Sequence, residues 1–130
     1  MPFVKKAKRF LKYPGKLASN KYLRHMKATI KFLLNDHIGY QNRVAIDKII
    51  DYLERKRLDI NMSQWQIEVL GPLRDNGIYI GSVPSKGMFI ISNEEDAQRV
   101  VRAIERRIKK ETKRCKILKK IIRNVGWSIR

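Results

Sequence analysis

The sequence predicts a mainly helical domain with one small β-hairpin and a long C-terminal helix. Three observations lead there. Apolar residues recur at helical spacing in three segments before Asp75 and through most of the last quarter of the chain. Two short runs, Ile78-Tyr79-Ile80 and Met88-Phe89-Ile90-Ile91, are rich in β-branched and aromatic residues and flank a Gly/Pro/Ser/Lys segment. The hydrophobic fraction is 43% of 130 residues, enough for one modest core and too high for a disordered chain.

The elements follow in order. Residues 1–19 carry Pro14 and Gly15 between lysines and read as a flexible basic arm, with a short helical turn at Val4–Leu11. Residues 20–41 read as a helix and a connector. Asn20 is placed to cap that helix, which runs to about Asn35 on the stripe Leu23, Met26, Ile30, Leu33 and Leu34. Gly39 ends the connector. Asn42 is placed to cap the next helix, to about Lys56, with Ile46, Ile49, Ile50 and Leu53 as its apolar side. Leu58–Met62 is a short link.

In MSQWQIEVLGPLRDNG, Ser63 and Gln66 have the spacing of a capping box, and Ile67, Leu70 and Leu73 continue a stripe. Pro72 lacks a donor and crowds the Glu68 carbonyl, so a kink or restart is expected there. Asn76-Gly77 is a left-handed stop. The two strands then enclose a loop, Gly81–Gly87. Ser92 with Glu95 makes a second capping box, and the acids Glu94 and Asp96 suit the positive end of a helix running from about Asn93 to Arg123. Residues 93–130 thus form a long basic helical segment.

Charge is segregated. The formal net charge is +18 and the pI near 10.4. Residues 1–32 hold ten Lys/Arg and no acid, and residues 99–130 hold thirteen Lys/Arg against Glu105 and Glu111. The middle, 33–98, has seven bases and ten acids. Two ends so positive call for a polyanion, nucleic acid before an anionic membrane. A single cysteine, Cys115, rules out an internal disulfide and suits a reducing compartment. The first sixteen residues are too charged for the apolar part of a signal peptide, so a cytoplasmic location is expected.

The succession Ile46–Leu53, a capped helix ending in LRDNG, then IYIGS, a loop, KGMFII and an acid-capped helix with RAIERRI resembles a winged helix-turn-helix. It is most similar to the small proteins of phages and prokaryotic mobile elements, over roughly residues 42–108. The resemblance implies a winged-helix core at 42–92. It implies that the helix before the hairpin enters a DNA groove, and that the wing touches the backbone or minor groove.

The expected nucleic-acid contacts are then as follows. Lys5, Lys6, Lys8, Arg9, Lys12 and Lys16 of the arm track phosphates or enter the minor groove. Gln64, Gln66 and Arg74 face a groove, beside Trp65; the competing role for Arg74 is an ion pair with Asp75 or Glu68, and for Gln66 capping. Ser82, Ser85 and Lys86 lie on the wing. Arg106, Lys109, Lys110 and Lys113 line the long helix. That helix also carries a seam stepping by four and three: Ala97, Val101, Ile104, Ile108, Glu111, Cys115, Leu118, Ile122 and Val125. Val101, Ile104, Ile108, Cys115, Leu118 and Ile122 are expected to pack in a homodimer or on the N-terminal helix. Trp127 is expected to close a core rather than stack on a base.

Catalysis is not expected. His25, His37 and Cys115 have no metal-ligand spacing, and no Gly-rich phosphate loop occurs, so neither a metal nor a cofactor is called for. GIYIG at 77–81 overlaps in five residues two phrases that the GIY-YIG nucleases keep on separate strands. Asp51 with Glu54-Arg55-Lys56 falls on a predicted helix, where restriction-type chemistry needs a strand. The expectation is a small DNA-binding protein of regulatory or replication-accessory type. The rival readings are a protein-docking winged helix and an RNA or ribonucleoprotein binder.

Overall fold

A computed structural model describes residues 1–129. Helix α1 spans Pro2–Lys12, α2 Leu23–Asp36 and α3 Ile46–Arg55. A fourth helical stretch comprises α4, Met62–Trp65, a π-helical turn, Gln66–Leu70, and α5, Gly71–Asp75. Strands β1, Ile80–Val83, and β2, Gly87–Ile90, pair antiparallel, and α6 runs Glu94–Asn124. The molecule is thus mainly helical, with one hairpin and one long C-terminal helix.

The principal core joins Met26, Ile30 and Leu33 of α2 to Ile49 and Leu53 of α3. Trp65, Val69, Leu70 and Leu73 of the 62–75 stretch and Ile80, Met88 and Ile90 of the hairpin complete it. Period-2 alternation sends Phe89 and Ile91 to the opposite face of the hairpin, where Val100 of α6 covers them. The hairpin is therefore buried on both sides. Its free edge is also occupied: the Val44 and Met88 backbones exchange hydrogen bonds of 2.9 and 2.8 Å, and Gly39 N–H donates to the Ile90 carbonyl at 2.8 Å. The 37–44 segment thus lines β2 through two isolated bridges of opposite sense, Ile38 with Ile90 and Val44 with Met88, on either side of a 3-10 turn at Tyr40–Asn42. Gly87 makes this possible, because a Cβ there would lie 2.6 Å from the Val44 carbonyl oxygen.

Several expectations are corrected. The N-terminal arm is not a free tail: α1 buries Val4, Ala7 and Phe10 against the core. Asn20 accepts from Tyr22 N–H in a local turn, and the helix starts only at Leu23. Asn42 caps nothing; its amide donates to the Ile38 carbonyl, and α3 begins at Ile46. Asn61 rather than Ser63 caps the next helix, taking Gln64 N–H at 2.7 Å. At α6 the cap is Asn93, which takes Asp96 N–H at 2.8 Å. The Asp96 carboxylate reaches back to Ser92 N–H and Oγ–H and to Tyr40 N–H, pinning the helix start to the 39–40 corner.

The interruption expected at Pro72 is present: regular α-helix gives way to a π-helical turn, and α5 restarts at Gly71 with Pro72 in its first turn. The turn before it widens, so Gly71 N–H donates to Gln66 O, five residues back. The inserted residue rotates the preceding stripe. Ile67, expected inside, is 67% exposed, and Trp65 is fully buried. Its indole N–H donates to the Thr29 hydroxyl at 3.2 Å, and that hydroxyl donates to the His25 carbonyl. Strand β1 begins two residues later than expected, because Ile78 N–H still closes the helix end on Leu73 O, and β2 begins one residue earlier, at Gly87. The loop shrinks to Pro84-Ser85-Lys86.

Candidate nucleic-acid interface

The hairpin tip lies between two surfaces. On one side a crevice lined by Ile46, Met62, Val83 and Lys86 joins it to the start of α4. On the other, a crevice lined by Arg74, Tyr79, Ser82, Pro84, Ile104 and Arg107 joins it to α6. Ser85 takes a left-handed conformation (φ 61°), and Lys86 N–H donates to Val83 O, so the turn is tight. Ser85 and Lys86 are exposed; Ser82 is half-buried within β1.

The basic residues fall on two helices. In α1, Lys5, Lys8, Arg9 and Lys12 lie within about 100° of helix surface, away from Val4, Ala7 and Phe10. They are exposed, as is Lys16 in the following 3-10 turn. Lys6 reaches beside Gly77, where a Cβ would stand 3.2 Å from its amine. It sits at the C-terminal end of the 62–75 stretch, whose partial negative charge favours a cation. In α6, Arg106, Lys109, Lys110 and Lys113 are exposed, and none takes part in an ion pair among the described residues.

The 62–75 stretch presents a different face. Gln64 and Gln66 are exposed, and Gln64 donates its amide to the Tyr22 hydroxyl at 3.2 Å. Ile67, Glu68 and Asp75 share the exposed side. Trp65 faces the core and is unavailable to a base. Arg74, expected at a groove or in an ion pair, makes no ion pair among the described residues. Its guanidinium donates twice to the Ile80 carbonyl, at 3.1 and 2.8 Å, and lies over the Tyr79 ring at 4.8 Å. Burial lowers its pKa from the ordinary value, Tyr79 opposes that shift, and Arg107 adds to it. Arg74 therefore ties the helix end to β1. Arg74→Lys loses the forked contact and is expected to cost about 1–2 kcal/mol in chemical denaturation, with duplex affinity unchanged in a titration of the folded variant.

One further cluster has no signal in the residue order. Arg43 and Arg99 stack on the Tyr40 ring, at 4.4 and 4.5 Å from its centroid, and Tyr40 meets Phe89 edge-on. The three residues come together only because the 39–40 corner is pinned to α6.

Among the described residues no group of three or more His, Cys, Asp or Glu is arranged to hold a metal ion. Among the same residues no helix is long and apolar enough to cross a membrane. Asp51 and Glu54 lie on α3. No protein-family model, curated protein or solved structure matches this chain.

Proposed function

We propose that this chain binds duplex DNA as a winged-helix protein whose affinity comes mainly from its basic helices. The order of elements supports the winged-helix reading. Helix α2, the bridge of Val44 to Met88, α3, the 62–75 stretch and the hairpin follow one another in the order that reading expects. One observation carries the functional reading: the exposed tip with Ser85 and Lys86 sits between the start of a groove-sized helix and the base-lined side of α6. A duplex laid across the tip meets Gln64 and Gln66 on one flank and Arg107 and the lysines beyond it on the other. The exposed side of the 62–75 stretch is neutral to acidic, so sequence discrimination is modest. Gln reads adenine, and an exposed Ile67 side chain suits a thymine methyl. A protein of regulatory or replication-accessory type fits such a balance.

The test is a duplex titration across salt. Neutralising about eight phosphates gives a log–log slope near −7. Structured RNA as competitor separates duplex DNA from the ribonucleoprotein reading. The exposed Ile67 and Met62, 67% and 44%, favour a second reading as a protein-docking module. An affinity indifferent to salt between about 50 and 200 mM would leave that reading standing and remove the first.

A further inference from the structure

Beyond Arg107 every residue of α6 through Ile121 is exposed. The expected seam is corrected at its start: Val100 and Ala103 face the hairpin, and Val101 is 44% exposed. Nor does the N-terminal helix cover the rest. Ile108, Cys115, Leu118, Ile122 and Val125 form one stripe, interrupted by Glu111. The opposite face holds Lys109, Lys113, Lys116 and Lys120. From Arg107 to Arg123 there are nine bases and one acid.

We propose that this stripe is covered by the same stripe of a second copy, the two helices running antiparallel and crossing between Cys115 and Leu118. The alternation of four and three is the repeat of a left-handed helix pair, and it continues through the exposed stretch. Charge selects the orientation. A parallel pair sets Glu111 against its own copy and Arg114 beside Lys119 twice. The antiparallel pair sets Ile108 against Val125 and Cys115 against Leu118. Arg114 then flanks Ile121, and Thr112 flanks Lys119, so no like charges meet in the seam. Glu111 keeps its 2.9 Å bond to Arg114 and lies against Ile122 of the second copy, which makes the pairing weak. The paired length, residues 108–125, is about 27 Å. The pairing does not depend on the nucleic-acid reading.

Sedimentation equilibrium of the full chain tests it. Two strongly positive helices repel, and salt screens that repulsion, so the dimer fraction rises with salt. DNA affinity moves the opposite way, which keeps the two readings separable. Leu118→Glu returns the protein to monomer while the thermal transition of the core stays in place. Orientation is read by mixing Ile108→Cys and Val125→Cys chains, each also Cys115→Ser: oxidation gives the mixed disulfide over either homodisulfide. A monomer at every salt concentration overturns the proposal. So do a dimer that weakens with salt, ready Cys115–Cys115 crosslinking of the unaltered chain, and flotation of the monomer with phosphatidylserine vesicles.

Discussion

Trp65→Ala is expected to lower stability by about 3–5 kcal/mol, a shift of the thermal midpoint of roughly 10–20 °C. The side chain is completely buried where α2 meets the 62–75 stretch, so truncation leaves a cavity in the middle of the principal core. It also removes the indole donor that the Thr29 hydroxyl accepts. Trp65→Phe separates the two effects. It retains most of the apolar contact and leaves only the Thr29 lone pair unsatisfied, since that hydroxyl still donates to His25 O. Its expected cost is about 1–2 kcal/mol. Urea unfolding of both variants checks the ordering. A Trp65→Ala protein as stable as the parent would mean that this ring is not at the centre of the core.

Reversing Lys109, Lys110 and Lys113 to Glu together is expected to weaken duplex binding by about 10²–10³-fold at about 0.1 M salt. Each phosphate contact contributes roughly 0.9 to the log–log slope, so three lost contacts also flatten that slope by about 3. The three side chains are in solvent and outside the ion pairs of α6, so the fold should not change. Gln64→Ala with Gln66→Ala should leave affinity for random duplex within about threefold, since neither side chain neutralises a phosphate. Fluorescence anisotropy on one labelled duplex measures both. Equal affinity of the triple variant and the parent would show that α6 is not where the polyanion binds.

Much of this architecture was readable in the residues, and the misses have physical causes. The start of α6 was legible because its acidic first turn is a local signal, although Asn93 rather than Ser92 supplies the cap. The stripes of α2 and α3 were legible because nothing interrupts their period. Trp65 and Ile67 exchanged roles because a π-helical turn ahead of Pro72 adds a residue, which a fixed 3.6-residue period does not register. Docking of α1 was hidden by composition: Val4, Ala7 and Phe10 form a narrow stripe among five exposed bases. Val100 and Val101 are adjacent and alike, so only packing against Phe89 and Ile91 decides which faces inward. At the candidate site, the exposure of Lys86 and of the α1 and α6 bases followed from their charge. The tethering of Arg74 to β1 did not, because its acceptor is a backbone carbonyl that only folding brings within reach.

The hairpin has apolar neighbours above and below and a partner along its edge, so its tip is not a free flap. Lys86 and Ser85 are carried on a strand pair that moves with the folded body as one piece. A surface fixed in this way surrenders little backbone freedom when something docks on it, and the association keeps a larger share of the contact energy it makes. The same rigidity limits accommodation: a duplex whose curvature or groove width does not suit the fixed spacing between tip and α6 must itself deform.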